Sequence, residues 1–370
     1  MSSTFDVDRS ETTALNRLCP YFTMFPLRFP YGVLRRRAVV PDAVLDPFCG
    51  RGTTNYAARL LGLYSYGLDV NPVACAIATA KAQPVTAAAI VDEYDRLLSA
   101  TSVMHGPAGE FWQWAYHPLV LDILVRLRHA FEKAQVSPAG LALRGIILGA
   151  LHGPRNKRTD SYFSNQNPRT YAPKPDYAIR YWRERDLQPP CVDVRQIIER
   201  RAVRYYGSEQ GRGRSVITQG DARDPVALAC VTEPVRWVIT SPPYYGMRTY
   251  LADQWLRGWF IGGPASPAYR DPQQLRHNTP EVFAKDLCTV WRNARAVSTG
   301  DARLVIRFGG ITDRAADPRE ILRASLVDSG WRVTTRRRAG FAPKARRQAE
   351  HFQRRHTAPM EEFDLWAVAC

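Results

Sequence analysis

The sequence has no Cys-x-x-Cys pair. Its seven cysteines, at 19, 49, 75, 191, 230, 288 and 370, are odd in number and widely spaced. That pattern excludes a zinc clip and a disulfide framework, so no metal is expected and a reducing cytosol is. Long apolar runs are missing too. None approaches the roughly 18 to 20 residues that span a bilayer, and the longest, Gly140 to Gly153, is broken by Arg144. The first twenty residues are polar and carry acids, unlike a secretory signal. The expectation is a cytoplasmic protein without membrane contact. Lysine is scarce as well: of 51 basic residues only 6 are Lys, leaving 51 − 6 = 45 Arg. No internal repeat is visible.

What is present is a core. Hydrophobic residues make up 45% of 370, with 11% aromatic, enough for one large domain or two small ones and too much for a disordered tail. The formal net charge of +16 favours a polyanionic partner such as nucleic acid or an anionic membrane surface. A GC-rich genome explains arginine over lysine but not the excess of bases over acids.

Periodicity reads as alternating strands and helices with one long interruption. Val44 to Asp46 is a short apolar strand, a Gly-rich turn follows, and Thr53 to Leu61 has helical spacing. Tyr64 to Leu68 is a second strand ending at Asp69, after which Asn71-Pro72 caps and starts a helix. Residues 86–151 turn helical. Residues 153–214 read as poor in periodicity and rich in arginine, with 14 basic against 7 acidic side chains. Strands resume at 215–218, 236–240, 303–308, 331–335 and 363–368, with helices near 281–298 and 318–329. The expectation is one split α/β domain, its halves at 1–84 and 215–370, carrying a helical and basic insertion at 85–214.

The turn Asp46-Pro47-Phe48-Cys49-Gly50-Arg51-Gly52-Thr53-Thr54 falls where a doubly wound sheet binds nucleotides, at the carboxyl end of its first strand. Gly50 and Gly52 allow close backbone approach, and the helix beginning near Thr53 offers free N–H groups. Asp69 follows Gly50 by 69 − 50 = 19 residues, close to the spacing of about 20 for a carboxylate that accepts ribose hydroxyls. Asn55 stands where a dinucleotide fingerprint wants a third glycine or alanine, and no P-loop lysine is present. An acid at 46 suits a cationic amine better than a pyrophosphate. S-adenosyl-L-methionine meets these conditions, having an ammonium, a sulfonium and a ribose but no phosphate.

Trp237 to Thr240 is a buried-strand run followed at once by Ser241-Pro242-Pro243-Tyr244. Two prolines deny the turn two donors, so its carbonyls face a ligand without competing N–H groups. The matching substrate is an exocyclic aromatic amine, accepted by the Ser241 hydroxyl and the Pro242 carbonyl as its nitrogen becomes pyramidal, with Tyr244 stacking on the base. A proline-stiffened loop is the plain structural alternative.

Together these two motifs resemble the S-adenosylmethionine-dependent amino-group DNA methyltransferases, which modify cytosine N4 or adenine N6. The resemblance implies a Rossmann-like seven-stranded methyltransferase sheet. Phe25 and Pro26 are similar to the family segment that closes over the methionine part of the cofactor. Gly220-Asp221-Ala222 is similar to its Gly-Asp receiving the adenine amine. The implied cofactor set is Phe25, Pro26, Asp46, Pro47, Phe48, Gly50, Gly52, Thr53, Thr54, Asp69, Asn71, Asp221 and Ala222; the catalytic set is Ser241 to Tyr244. Motif order resembles the class whose target-recognition region lies between cofactor and catalytic motifs. Serine at the first catalytic position leans toward cytosine N4, with adenine N6, an RNA amine and a non-catalytic DNA-binding relic as alternatives. Pro190-Cys191, superficially a carbon-5 nucleophile, lies in the insertion and reads as incidental.

A target amine inside a duplex requires base flipping. The expected DNA contacts are Arg155, Lys157, Arg158, Asn165 and Arg169 in the insertion and Arg248 after the catalytic turn. Arg336, Arg337, Arg346 and Arg347 join them from a stretch, 332–356, with nine bases against one acid. A companion restriction endonuclease is left open by the resemblance and is not readable from the residues.

Overall fold

The computed structural model describes residues 14–21, 25–133, 135–154, 160–167, 174–208, 211–246, 251–267, 275–310, 316–341 and 361–370. In chain order the elements are α1 (Arg28–Arg37), β1 (Ala43–Asp46), α2 (Thr53–Leu60), β2 (Tyr64–Asp69), α3 (Pro72–Ala82), α4 (Ala87–Ser99), α5 (Glu110–Ala115), α6 (Pro118–Lys133), α7 (Pro138–Ala150), α8 (Pro175–Arg183) and α9 (Val194–Tyr206). They continue with β3 (Ser215–Gln219), β4 (Val235–Thr240), α10 (Trp255–Phe260), α11 (Pro280–Ala296), β5 (Ser298–Phe308), α12 (Pro318–Leu326), β6 (Trp331–Phe341) and β7 (Glu361–Ala369).

The chain divides into two compact units. The sheet unit takes its described residues from Tyr21–Ala78, Gly211–Thr249 and Pro272–Cys370. All seven strands lie in it, in the order β3-β2-β1-β4-β5-β7-β6, with β7 antiparallel to both neighbours and the remaining pairs parallel. This is the expected Rossmann-like sheet. Each residue of β1 is buried, as a central parallel strand covered on both faces must be. One face packs α11 and α12 through Phe283, Leu287, Trp291, Ile321 and Leu322 onto Leu45, Val238, Leu304, Phe363 and Leu365. Burying these side chains at roughly 1.5–3 kcal/mol each outweighs any single polar contact in the unit.

The helical unit takes its described residues from Met1–Pro20, Thr79–Gln210 and Tyr250–Asp271. The stretch read as aperiodic contains two helices. In α9, Val194, Ile197, Ile198, Ala202, Tyr205 and Tyr206 are buried on one stripe, and the Asp193 side chain caps it by accepting from Gln196 N at 2.9 Å. Arginines on the opposite face hid that period. Several are occupied by the fold itself: Arg195 pairs with Asp95 of α4 at 2.8 Å, and Arg201 donates to the Ser161 carbonyl at 2.6 Å. The segment carrying α10, assigned from sequence to the catalytic half, folds with this unit, its Trp259 ring 4.5 Å from that of Trp112.

Candidate active site

The sheet unit's site begins where β1, β2 and β4 end side by side. Asp46, the last residue of β1, is fully buried. Its Oδ1 accepts the Thr240 hydroxyl at 2.6 Å and the Phe48 amide at 3.1 Å. Its Oδ2 is buried without a hydrogen-bond partner among the described residues. Burial pushes the carboxyl up to about 6, against the opposing pull of the Thr240 and Thr54 hydroxyls and the Phe48 amide. A buried carboxylate oxygen without a donor is costly, and a cationic amine relieves that cost.

The turn after Asp46 is held by Asp69 at the end of β2. Asp69 Oδ2 accepts from Gly50 N at 2.8 Å and Oδ1 from Asn71 N at 2.9 Å, and burial lifts this carboxyl too to about 6. Each oxygen keeps a second lone pair for a hydroxyl. Gly50 and Gly52 have φ of 50° and 70°, and a Cβ on Gly52 would sit 2.8 Å from Ala78 Cβ. Glycine is therefore required there both by the backbone and by the approach of α3. Above Gly50 a Cβ meets nothing within 4 Å. Thr53 and Thr54 are buried, Thr54 donating to the Ile239 carbonyl at 3.2 Å. Asn71 caps α3 through Val73 N at 2.9 Å. Asn55 Nδ2 donates to Ser65 Oγ at 3.2 Å, which meets Ser215 Oγ at 2.9 Å, so it stitches α2 to β2 and β3, while Asn55 Oδ1 is buried without a hydrogen-bond partner among the described residues.

Other expected cofactor residues are placed with varied freedom. Gly220 N bonds the Asp69 carbonyl at 3.0 Å, so β3 delivers Asp221 beside the tip of β2. Its carboxylate is gripped by Arg223, whose Nη2 lies 2.6 Å from Oδ2 and whose Nη1 also reaches Asp286 at 2.9 Å. Ala222 is buried. Phe48 packs edge-on to Trp291 at 6.1 Å. Phe25 lies edge-on to Phe29 at 5.6 Å, and the Pro26 carbonyl accepts from Phe29 N at 3.0 Å at the start of α1.

The Ser-Pro-Pro-Tyr turn leaves β4 directly after Thr240. Thr240 is the residue whose role the sequence reading did not assign, and its hydroxyl is what ties this turn to Asp46. Pro242 is buried, while Ser241, Pro243 and Tyr244 are half-buried. Tyr244 is fixed: its hydroxyl donates to Glu362 Oε1 at 2.7 Å and its ring stands edge-on to Phe308 at 5.4 Å. Burial pushes its phenol far up, reinforced by the Glu362 charge. Glu362 carries no sequence signal, because it lies 118 residues downstream and reaches the turn only through the β5–β7 pairing.

The expected DNA contacts divide. Arg155, Lys157, Arg158, Arg169, Arg248, Arg346 and Arg347 lie outside the described residues. Arg336 and Arg337 are exposed on β6, at one end of the strand order. Asn165 is a correction: it is buried in the helical unit, its Nδ2 donating to the carbonyls of Trp114 at 3.1 Å and Leu187 at 2.5 Å. As placed it holds backbone and has no donor left for a base edge. Nearby His152 is also buried, meeting Ser164 Oγ at 2.6 Å and Asn167 Oδ1 at 3.0 Å, and burial lowers its pKa to about 4. Cys191 is exposed ahead of α9. No helix of the described residues is long and apolar enough to cross a membrane, and no metal-ligating cluster occurs among them.

Residues 3–80 match the family described as DNA methylase, which covers the amino-group N6 and N4 enzymes. The type II methyltransferase M.MjaII of Methanocaldococcus jannaschii is 33% identical over 76 residues, 20% of this chain and 14% of that protein's length. Two solved structures are similar at low score. The rRNA methyltransferase aviRa from Streptomyces viridochromogenes has a TM-score of 0.35 and 14% identity, covering 98% of this chain and 93% of its own. TrmN from Thermus thermophilus has a TM-score of 0.36 and 11% identity, covering 98% and 53%. The family's cofactor is S-adenosyl-L-methionine, and the residues fit it: the buried, unpartnered Asp46 Oδ2 suits an ammonium, and Asp69 has lone pairs left that would suit ribose hydroxyls.

Proposed function

We propose that this chain, whose residues 3–80 match the DNA methylase family, methylates the exocyclic amine of a flipped DNA base, cytosine N4 by preference. The observation that carries the reading is the 2.6 Å hydrogen bond from Thr240 to Asp46. It fastens the Ser-Pro-Pro-Tyr turn beside the carboxylate suited to the cofactor's ammonium, and β1 and β4 are neighbours in the sheet. Placement of this kind supplies several kcal/mol toward an in-line transfer.

When bound, S-adenosyl-L-methionine supplies an electrophilic methyl group. Asp46 and Asp69 hold its amine and ribose ends; Phe25, Pro26, Asp221 and Ala222 complete the set. Ser241 and the Pro242 carbonyl accept the amine hydrogens and favour the pyramidal nitrogen. The prolines exclude competing donors. Arg336 and Arg337, with the basic stretches around 155–169 and 344–355, bind phosphates. Serine at 241 supports cytosine over adenine.

The test is nucleoside mass spectrometry of duplex DNA incubated with the protein and cofactor, beside adenine-labelled DNA and structured RNA. N4-methylcytosine is expected. N6-methyladenine alone would move the target to adenine, methyl label in RNA alone would overturn DNA as substrate, and no transfer despite cofactor binding would leave a non-catalytic binder. Whether host DNA is cut when unmethylated tests the companion endonuclease.

A further inference from the structure

Consecutive residues of a strand point to opposite faces, so Arg336 and Arg337 of β6 serve different sides of the sheet. Arg336 stands opposite Leu365 of β7, on the face packed by α11 and α12. Arg337 stands opposite Asp364 and takes the other face, where its guanidinium carbon lies 5.8 Å from the Trp366 ring centre. A second guanidinium reaches the same ring from a different element: that of Arg37, at the end of α1, at 4.8 Å. Two cations thus share one ring. Arg332 of β6 and Arg303 of β5, both opposite Val368, lie further along this face. Arg35 and Arg36 are exposed beside Arg37 on the last turn of α1.

The acids nearby are already engaged. Asp364, on this face of β7, is held bidentately by Arg307 at 2.7 and 2.8 Å, and Asp301 at the start of β5 by Arg236 at 2.9 Å. Among the described residues neither these nor any other carboxylate pairs with Arg37, Arg332 or Arg337. Like charges brought to one ring repel, and a bound anion reverses the sign of that interaction. The helix dipole favours arginines on the last turn of α1, but it has no hold on Arg337, which comes from a strand. Stacking on Trp366 uses the flat face of a guanidinium and leaves its in-plane N–H groups free, the edge that forks onto phosphate. Both arginines are exposed. Trp366 is half-buried and already covered by two cations, so the surface suits phosphate in preference to a stacked base.

We propose that Arg37 and Arg337, organised on Trp366 and flanked by Arg35, Arg36, Arg303 and Arg332, grip phosphates of duplex DNA beside the target base. The inference rests on the DNA methyltransferase reading for its partner, and it adds α1 to the surface that holds that partner. Glu362, which fixes Tyr244, lies four residues before Trp366 on β7, about 13 Å at roughly 3.3 Å per residue. Duplex DNA advances about 3.4 Å per base pair, so the phosphates concerned lie about four pairs from a base held at the Ser-Pro-Pro-Tyr turn. Contacts of this kind set position and carry no base readout, so they are independent of sequence.

The test uses Arg37→Gln, Arg337→Gln, their double, Trp366→Leu and, from α12 on the opposite face, Arg323→Gln, each first checked for unchanged cofactor affinity. Binding to a duplex of arbitrary sequence is followed by fluorescence anisotropy across a salt series. Each of Arg37→Gln and Arg337→Gln should lower the log-log salt slope by about 1, and the double by about 2. Arg323→Gln removes the same charge and should leave the slope unchanged. Trp366→Leu removes no charge; it should weaken binding severalfold at fixed salt with the slope intact, because the guanidiniums lose their pre-organisation. A wild-type slope in the single variants or the double, an equal drop in Arg323→Gln, or full affinity in Trp366→Leu would overturn the surface. So would arginine variants that lose binding to phosphatidylserine vesicles while keeping the duplex slope, which would make the partner a membrane. Nucleoside mass spectrometry is scored separately. Wild-type protein that methylates DNA beside unchanged slopes overturns the surface and keeps the function; lowered slopes beside no methyl transfer keep the surface and overturn the function.

Discussion

Replacing Asp46 by Asn tests the site without any substrate. The folded carboxyl is held at about 6 against an ordinary 3.8, a difference of about 2.2, and 2.2 × 1.36 gives about 3 kcal/mol. The folded chain binds more protons than the unfolded chain between those values. Stability from this group is therefore highest below 3.8 and falls as the pH rises through about 6. An Asn side chain resembles the protonated acid in shape and charge. At pH 4 the variant and wild type should unfold alike, and at pH 8 the variant should be more stable by about 3 kcal/mol. Cofactor affinity should respond in the opposite sense. A hydrogen bond to a charged group contributes roughly 1.5–3 kcal/mol, so Asp46→Asn should weaken binding about ten- to a hundredfold at pH 8. Wild-type affinity should drop about tenfold for each pH unit below about 6, as the carboxylate takes up its proton. Denaturant titrations at the two pH values, with calorimetry in buffers of different ionisation heat, measure both arms. A variant no more stable than wild type at pH 8, or a stability gap equal at pH 4 and pH 8, would refute the buried-anion account.

Three further outcomes are expected. Ser241→Ala should leave the cofactor Kd within about twofold while lowering kcat roughly 10²–10³-fold, as loss of one transition-state hydrogen bond does; full turnover on DNA would remove the serine from the chemistry. Arg336→Ala and Arg337→Ala should each flatten the log-log salt dependence of duplex binding by about 1, read by fluorescence anisotropy at several salt concentrations; an unchanged slope would make them a merely solvated edge. In the helical unit the dependence runs the other way. His152 is held neutral in the fold, at about 4 against 6.5, so stability present above 6.5 should be lost as the pH falls through 4, by about 3 kcal/mol. Hydrogen exchange in α7 and residues 160–167 should accelerate over that window, and His152→Gln should flatten the response.

Motifs local in the chain were legible before any coordinates. Asp46, Gly50, Gly52 and Asp69 fall within one strand-turn-helix-strand unit, where backbone geometry and residue type are coupled at short range, and the acids lie at the strand ends and the glycines in the turn where the reading put them. Side chains in the insertion were less legible. Arginine density stood for a binding surface, yet Arg195 and Arg201 serve the fold, and Asn165, polar and flanked by bases, is inside. Composition does not distinguish a polar side chain facing water from one that satisfies buried carbonyls.

Chain order and residue type by themselves determined the seven strands, the two helix starts after Gly52 and Asn71, and the acids at the tips of the first two strands, because each depends on neighbours a few residues away. Only the tertiary structure decided that Thr240 would lock the Ser-Pro-Pro-Tyr turn to Asp46 across 194 residues. It also brought Glu362 onto Tyr244 and joined the segment bearing α10 to the helical unit. Those pairings follow from which strands lie side by side and which apolar faces find cover, free energies summed over the whole chain that no local window contains.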